Sequence, residues 1–398
     1  MSDSPFGGGP LDDLMRNLAR LLTTSGPINW EIAKQMATFG ATGGQREDNP
    51  DPVARVRFEE LLRVADLQVT EATGLATSHG GVLSVRAVTR NEWAQRTLTA
   101  WKPQLEHLAK AVSDASGDQL KELGEGDRPA VPPSDPMSQL LGNLPQVLGP
   151  FMFGLQVGSM VGDLARGAMG EYDFPMPRPP SDELLLVAQA IDSFAADWSL
   201  PADDVRLWVL LREVTNRTVF GLPHVRERLD EMMTAYGNAF HPDLSGLESQ
   251  LGNFDPSNME QLQQTFGDPE VLLGELQSDE QRALQVPLQS LLSVIAGYVD
   301  HMMDKVGQRL IGSYAPLTEA LRRRRFDDGQ GQRILAKLLG VGLSEADYAK
   351  GRSFVTGVIE RAGDDGLARL WKSAKELPTP AEVDAPGLWL ARIDLPSD

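Results

Sequence analysis

Between Pro145 and Gly162 the chain reads PQVLGPFMFGLQVGSMVG, without a charged residue, and Gly154, Gly158 and Gly162 recur at every fourth position. On an α-helix that interval places the three glycines on one face. A face without side chains lets a second helix approach closely. This one feature therefore demands close packing of helix on helix. The run is short for a membrane span, which takes about 20 mostly apolar residues. It is also interrupted by Pro145, Gln146, Pro150 and Gln156. A buried helix of a soluble protein is expected, and a membrane is not an expected partner.

The rest of the chain extends the helical reading. Leu11 to Leu22 has helical apolar spacing, Ser25-Gly26-Pro27 breaks it, and Asn29 is placed to cap the next helix. Pro52 opens a long helix reaching Thr73, with an apolar stripe through Val53, Val56, Leu61, Leu62, Val64, Ala65 and Leu67. Gly81 to Arg90, rich in β-branched residues that partly alternate, is the best strand candidate. A helix is expected from Asn91 to Val112. The acidic, Pro/Gly-rich stretch 113–136 then reads as a mobile linker. From Met137 onward the spacing predicts helices over 137–170, 181–197, 201–219, 223–236, 258–265, 269–276, 279–307, 315–325, 329–338, 344–361 and 364–372. The fold class is mainly α, with one or two short strands. An N-terminal helical region, 1–112, is expected to pack on a helical domain spanning 137–398.

Charge and composition narrow the function classes. A net charge of −19 over 398 residues opposes a phosphate backbone, so no nucleic-acid partner is expected. The run Arg322 to Arg325, beside Asp327 and Asp328, reads as a solvated helix end. There is no cysteine, which excludes disulfides and thiolate metal sites. The N-terminal MSDSPFGGGPLDDL carries neither a basic nor a long apolar segment, so the cytoplasm is the expected location.

The segment Trp208 to Phe220, WVLLREVTNRTVF, carries Arg212 and Asn216 one helical turn apart, with Glu213 between them. A zinc peptidase uses that interval to set two histidines on one face, with a glutamate beside the first to polarise the attacking water. Taken alone, the residues read as a partly exposed polar face.

Several segments, in order, resemble the zincin-like metallopeptidase family 2. They are SGPINW and EIAKQ at 25–35, GLQVGSMVGDLARGAMGEYDFPMP at 154–177, the stretch 182–220, IAGYVDHMMD at 295–304, LRRRR at 321–325 and LPTPAEVDAPGLWLARI at 377–393. The resemblance implies a zincin-like fold over 137–398 and, in members with an intact site, zinc held by His-Glu-x-x-His and by the glutamate of Glu-Gly-His-x-Asp-His. In this chain the first motif reads Arg212-Glu213-Val214-Thr215-Asn216, and the second reads Ala296-Gly297-Tyr298-Val299-Asp300-His301. All three implied ligand positions, Arg212, Asn216 and Ala296, are therefore replaced, and only Glu213, at the general-base position, remains. Arginine cannot deprotonate and does not ligate a cation. No metal and no cofactor are expected. Asp300 falls where the resemblance implies an aspartate that orients the first ligand histidine, and its expected partner is Arg212, through a charge-assisted pair.

These residues point to a catalytically degenerate protein that binds a protein, peptide or small ligand in the former cleft, or that serves as a scaffold in a complex. The alternative is a hydrolase or metallopeptidase whose metal site is rebuilt from Glu213, His301 and nearby aspartates. His79, His107, His224 and His241 are expected to be surface or hydrogen-bonded side chains.

Overall fold

The computed structural model describes residues 26–124, 136–240, 278–325 and 329–395, with side chains from 116 to 148 left out. The expected helices at 11–22, 258–265 and 269–276 lie outside the described residues, as does His241.

The described chain is mainly helical, with one two-stranded parallel sheet. Helix α1 (Trp30–Thr42) begins where Asn29 accepts a hydrogen bond from the Ile32 amide. Helix α2 (Pro52–Thr73) starts at Pro52 under an Asp51 cap and ends at Gly74 in the left-handed region. Strand β1 (Ser84–Val88) lies inside the expected strand. The helix expected from Asn91 is two helices, α3 (Arg90–Ala100) and α4 (Lys102–Gly124), divided at Trp101 just before Pro103. Residues 113–124, read from sequence as linker, are the last turns of α4; 125–135 lie outside the described residues.

Helix α5 (Pro136–Gly167) carries the glycine stripe. A Cβ at Gly154 would lie 2.4 Å from the Asn29 carbonyl oxygen, and one at Gly158 would lie 2.3 Å from that of Ala33. At Gly162 it would lie 2.8 Å from the Cα of Gly40. The stripe is thus the contact face for α1, at a separation that only glycine permits.

The expectation of helix from 181 is corrected. Glu183–Val187 is strand β2, and helix α6 (Ala188–Asp197) starts only after it. A continuous apolar run such as ELLLV fits a buried strand as well as a buried helix. The tertiary context decides between them. β2 pairs in parallel with β1, Ser84 opposite Glu183 through Val88 opposite Val187. On its other side the Val187 amide donates to the Met169 carbonyl at 2.9 Å.

Two buried helices form the centre, α7 (Ala202–Phe220) and α9 (Asp279–Leu310); α8 (Pro223–Asn238) follows α7. α7 is apolar on most sides and packs against α2, α6 and α9. Around them lie α10 (Tyr314–Arg325), α11 (Gln330–Leu339) and α12 (Glu345–Ala368), with α13 (Pro380–Asp384) and α14 (Pro386–Ile393) closing the C-terminal end. α12 breaks at Gly363, where φ is 66°, which matches the sequence division between 361 and 364. α9 and α12 cross at Gly297 and Gly351, where a Cβ at Gly297 would lie 2.3 Å from the Gly351 carbonyl carbon. Among the described residues, no helix is long and apolar enough to cross a membrane.

Candidate functional site

Arg212, Asn216 and Ala296, the three positions where the resemblance places metal ligands, line one small cavity of about 30 Å³ between α7 and α9. The i, i+4 interval puts Arg212 and Asn216 on the same face of α7. α9 packs against that face, and Ala296 presents only a methyl group.

Arg212 does not pair with Asp300. Its Nη1 donates to Asp173 Oδ1 at 2.9 Å, and the guanidinium lies over the Trp208 ring, 5.9 Å from its centroid. Asp173 sits in the loop that leaves α5, and its other oxygen accepts from the Met169 amide at 2.5 Å and the Gly170 amide at 3.3 Å. Those two amides fix the loop, so the carboxylate is already in place for Arg212.

Asp300 has a different arginine. Arg325, at the end of α10, donates to it through both terminal nitrogens at 3.0 and 2.9 Å, and Arg352 approaches to 3.7 Å. The fork geometry of guanidinium and carboxylate favours such bidentate pairs. The arginine run is therefore only half solvated. Arg322 and Arg323 are exposed, while Arg324 and Arg325 turn inward at 29% and 19% side-chain exposure. Successive helical residues are rotated by about 100° around the axis, so a run of four necessarily spans both faces.

Asn216 is also committed. Its Nδ2 donates to the Arg212 carbonyl one turn back at 2.9 Å.

Glu213 is fully buried. Its Oε2 accepts from the Tyr172 amide at 2.8 Å, and Oε1 has no hydrogen-bond partner. The Arg212 guanidinium stands 3.7 Å from Oε1. Burial, followed by repulsion from Asp173, pushes the carboxyl up to about 8, against a smaller opposing effect of Arg212. The backbone of Gly170 presses against this side chain; a Cβ there would lie 2.3 Å from the Glu213 carboxyl carbon. The same glycine carbonyl accepts from the Trp93 indole at 2.8 Å, so the contact is held from behind.

His301 faces elsewhere along α9, toward Asp364, Lys305 and Asp304, and burial lowers its affinity for a proton. Asp304 accepts from the Tyr314 hydroxyl at 2.7 Å. Glu213 and His301 thus belong to separate environments. Among the described residues there is no cluster of three or more His, Cys, Asp or Glu that could hold a metal ion. The donor set at the implied zinc position is a guanidinium, an amide turned to its own helix, a methyl group and one carboxyl that favours its proton. It does not fit zinc, which takes about three protein ligands in a catalytic site.

Next to the small cavity a larger cleft of about 260 Å³ opens between α5, α7 and α10, and Asp173, Arg212 and Arg325 line both. Sequence reasoning missed Asp173 and the inward pair Arg324 and Arg325. Asp173 had a signal, since EYDFP directly follows the glycine-rich helix. Nothing local connects it to a residue 39 positions away.

Comparison with known proteins bears on the fold and the family. A crystal structure of a protein from Chloroflexus aurantiacus, described as a putative hydrolase with a novel fold, superposes with a TM-score of 0.62. The alignment covers 93% of this chain and 100% of that one at 21% identity, a likeness of fold. No curated protein matches the chain. The family model for zincin-like metallopeptidases matches residues 28–390, nearly the whole chain, which therefore belongs to the zincin-like metallopeptidase family.

Proposed function

We propose that this chain is a catalytically degenerate member of its family, a protein that binds a ligand in the former cleft and does not cut peptides. The observation that carries this reading is the convergence of Arg212, Asn216 and Ala296 on one cavity, with the guanidinium of Arg212 tied to Asp173. A fixed positive charge at the implied cation position repels a cation, and none of the three side chains is a zinc ligand.

Glu213 supports the same reading. A general base must reach the water it activates. This carboxyl has no solvent exposure, is hydrogen-bonded to backbone, and is closed in by Gly170. Its preference for the protonated state at neutral pH removes the charge that a base needs.

An acidic, cysteine-free chain suits the reducing cytoplasm, which we take as its location. The decisive experiment is metal analysis of the purified chain together with a peptidase assay with and without chelator. Substoichiometric zinc and no chelator-sensitive cleavage are expected. Stoichiometric zinc, or cleavage that Glu213→Gln abolishes, would overturn the reading.

A further inference from the structure

The charges in the 260 Å³ cleft do not balance locally. Arg166, Arg212, Arg324 and Arg325 line it, against Asp163 and Asp173. Arg325 is neutralised by Asp300, and Asp163 is taken by Arg166 and by the Gly331 amide at 2.6 Å. One carboxylate, Asp173, then stands between two guanidiniums, Arg212 at 2.9 Å and Arg324 at 3.9 Å. Two backbone amides already share that carboxylate.

Both arginines keep donors in reserve. Arg212 donates a hydrogen bond through Nη1, to Asp173, and Arg324 through Nη2, to the Gly167 carbonyl. A guanidinium has five N–H groups. The positive excess lies in a concave cleft of a chain whose net charge is −19, so it opposes the overall field. The rest of the lining is largely apolar and includes Leu164, Met169, Phe174, Trp208, Val209 and Leu321.

We infer that this cleft binds a small carboxylate with an apolar body, its two oxygens bridging Arg212 and Arg324 and its body lying against Phe174 and the neighbouring apolar lining. Guanidiniums match the planar geometry of a carboxylate. The volume lies below the roughly 300–1,000 Å³ of sites for drug-sized ligands, which selects a short alkyl or aryl acid. Inorganic phosphate would meet the donors and leave the apolar lining unused. The inference rests on the reading that this site is a binding cleft and not a metal centre.

The test is titration calorimetry on the full chain, with chelator present so that no metal can mediate binding. Phenylacetate and hexanoate are the probes, with phenylacetamide and inorganic phosphate as controls. The two acids are expected to bind, the amide not to bind, and phosphate to bind more weakly. Arg324→Gln should weaken the acids about tenfold or more, the scale of one charge-assisted hydrogen bond. Arg324→Lys, which keeps the charge but loses the fork, should fall between the two and covers the case in which the glutamine variant does not fold. Failure of both acids to bind, equal binding of phosphate or of the amide, or unchanged affinity in both variants would overturn the inference. Zinc content and peptidase assays decide the underlying reading separately: a metal-free, inactive chain that binds neither acid refutes only the cleft assignment.

Discussion

Replacing Glu213 by glutamine should change how stability depends on pH. Glutamine has nearly the shape of the protonated carboxyl and cannot ionise. In the folded chain Glu213 titrates at about 8, compared with an ordinary 4.5, because burial and Asp173 both oppose its charge. Between those two values the native state holds a proton that the unfolded chain has lost. The stability associated with that proton is fully present below about 4.5 and is lost as pH rises through about 8. Each pH unit between the two titration points is worth about 1.36 kcal/mol, which sets an upper limit of about 5 kcal/mol. Relaxation around a newly ionised group lowers this, and about 2–4 kcal/mol is the expected loss. Urea unfolding at half-unit steps from pH 5 to pH 9 measures it. The wild type should lose that amount relative to Glu213→Gln, whose curve lacks this contribution. Parallel stability curves for the two proteins would refute the claim that Glu213 is held protonated by its surroundings. They would also remove one support for reading the site as non-catalytic.

Three further outcomes follow from the geometry. The triple change Arg212→His, Asn216→His and Ala296→Glu should create measurable zinc binding by calorimetry, because all three positions line one cavity; adding Arg325→Met should tighten it by freeing Asp300 to orient the new histidine. No zinc binding in either variant would contradict the convergence of α7 and α9 at these residues. Gly158→Ala should cost about 1–3 kcal/mol or more in thermal unfolding, since its methyl group would meet the Ala33 carbonyl at 2.3 Å; a neutral result would mean that α1 and α5 are not in close contact. Arg325→Met alone should cost about 3–5 kcal/mol, the scale for leaving a partly buried carboxylate without its main partner; Asp300→Asn in the same background should recover part of that loss.

Local sequence rules were sufficient wherever the controlling interaction spans a few residues. The ends of Pro52–Thr73, the Asn29 cap and the break at Gly363 are legible because caps, proline and left-handed glycine act within a turn of the chain. The glycine stripe announced a close helical neighbour, and the sequence placed Arg212 and Asn216 one turn apart on α7. That Ala296 meets them depends on how α9 packs against α7. Only the tertiary structure decided that the neighbour is α1, that ELLLV extends beside β1, and that Arg212 turns to Asp173 and leaves Asp300 to Arg325. Each of those choices joins residues 25 or more positions apart. Helical periodicity gives the direction in which a side chain leaves its own helix, whereas the partner it meets is set by the crossing of packed elements and by which backbone groups remain to be satisfied.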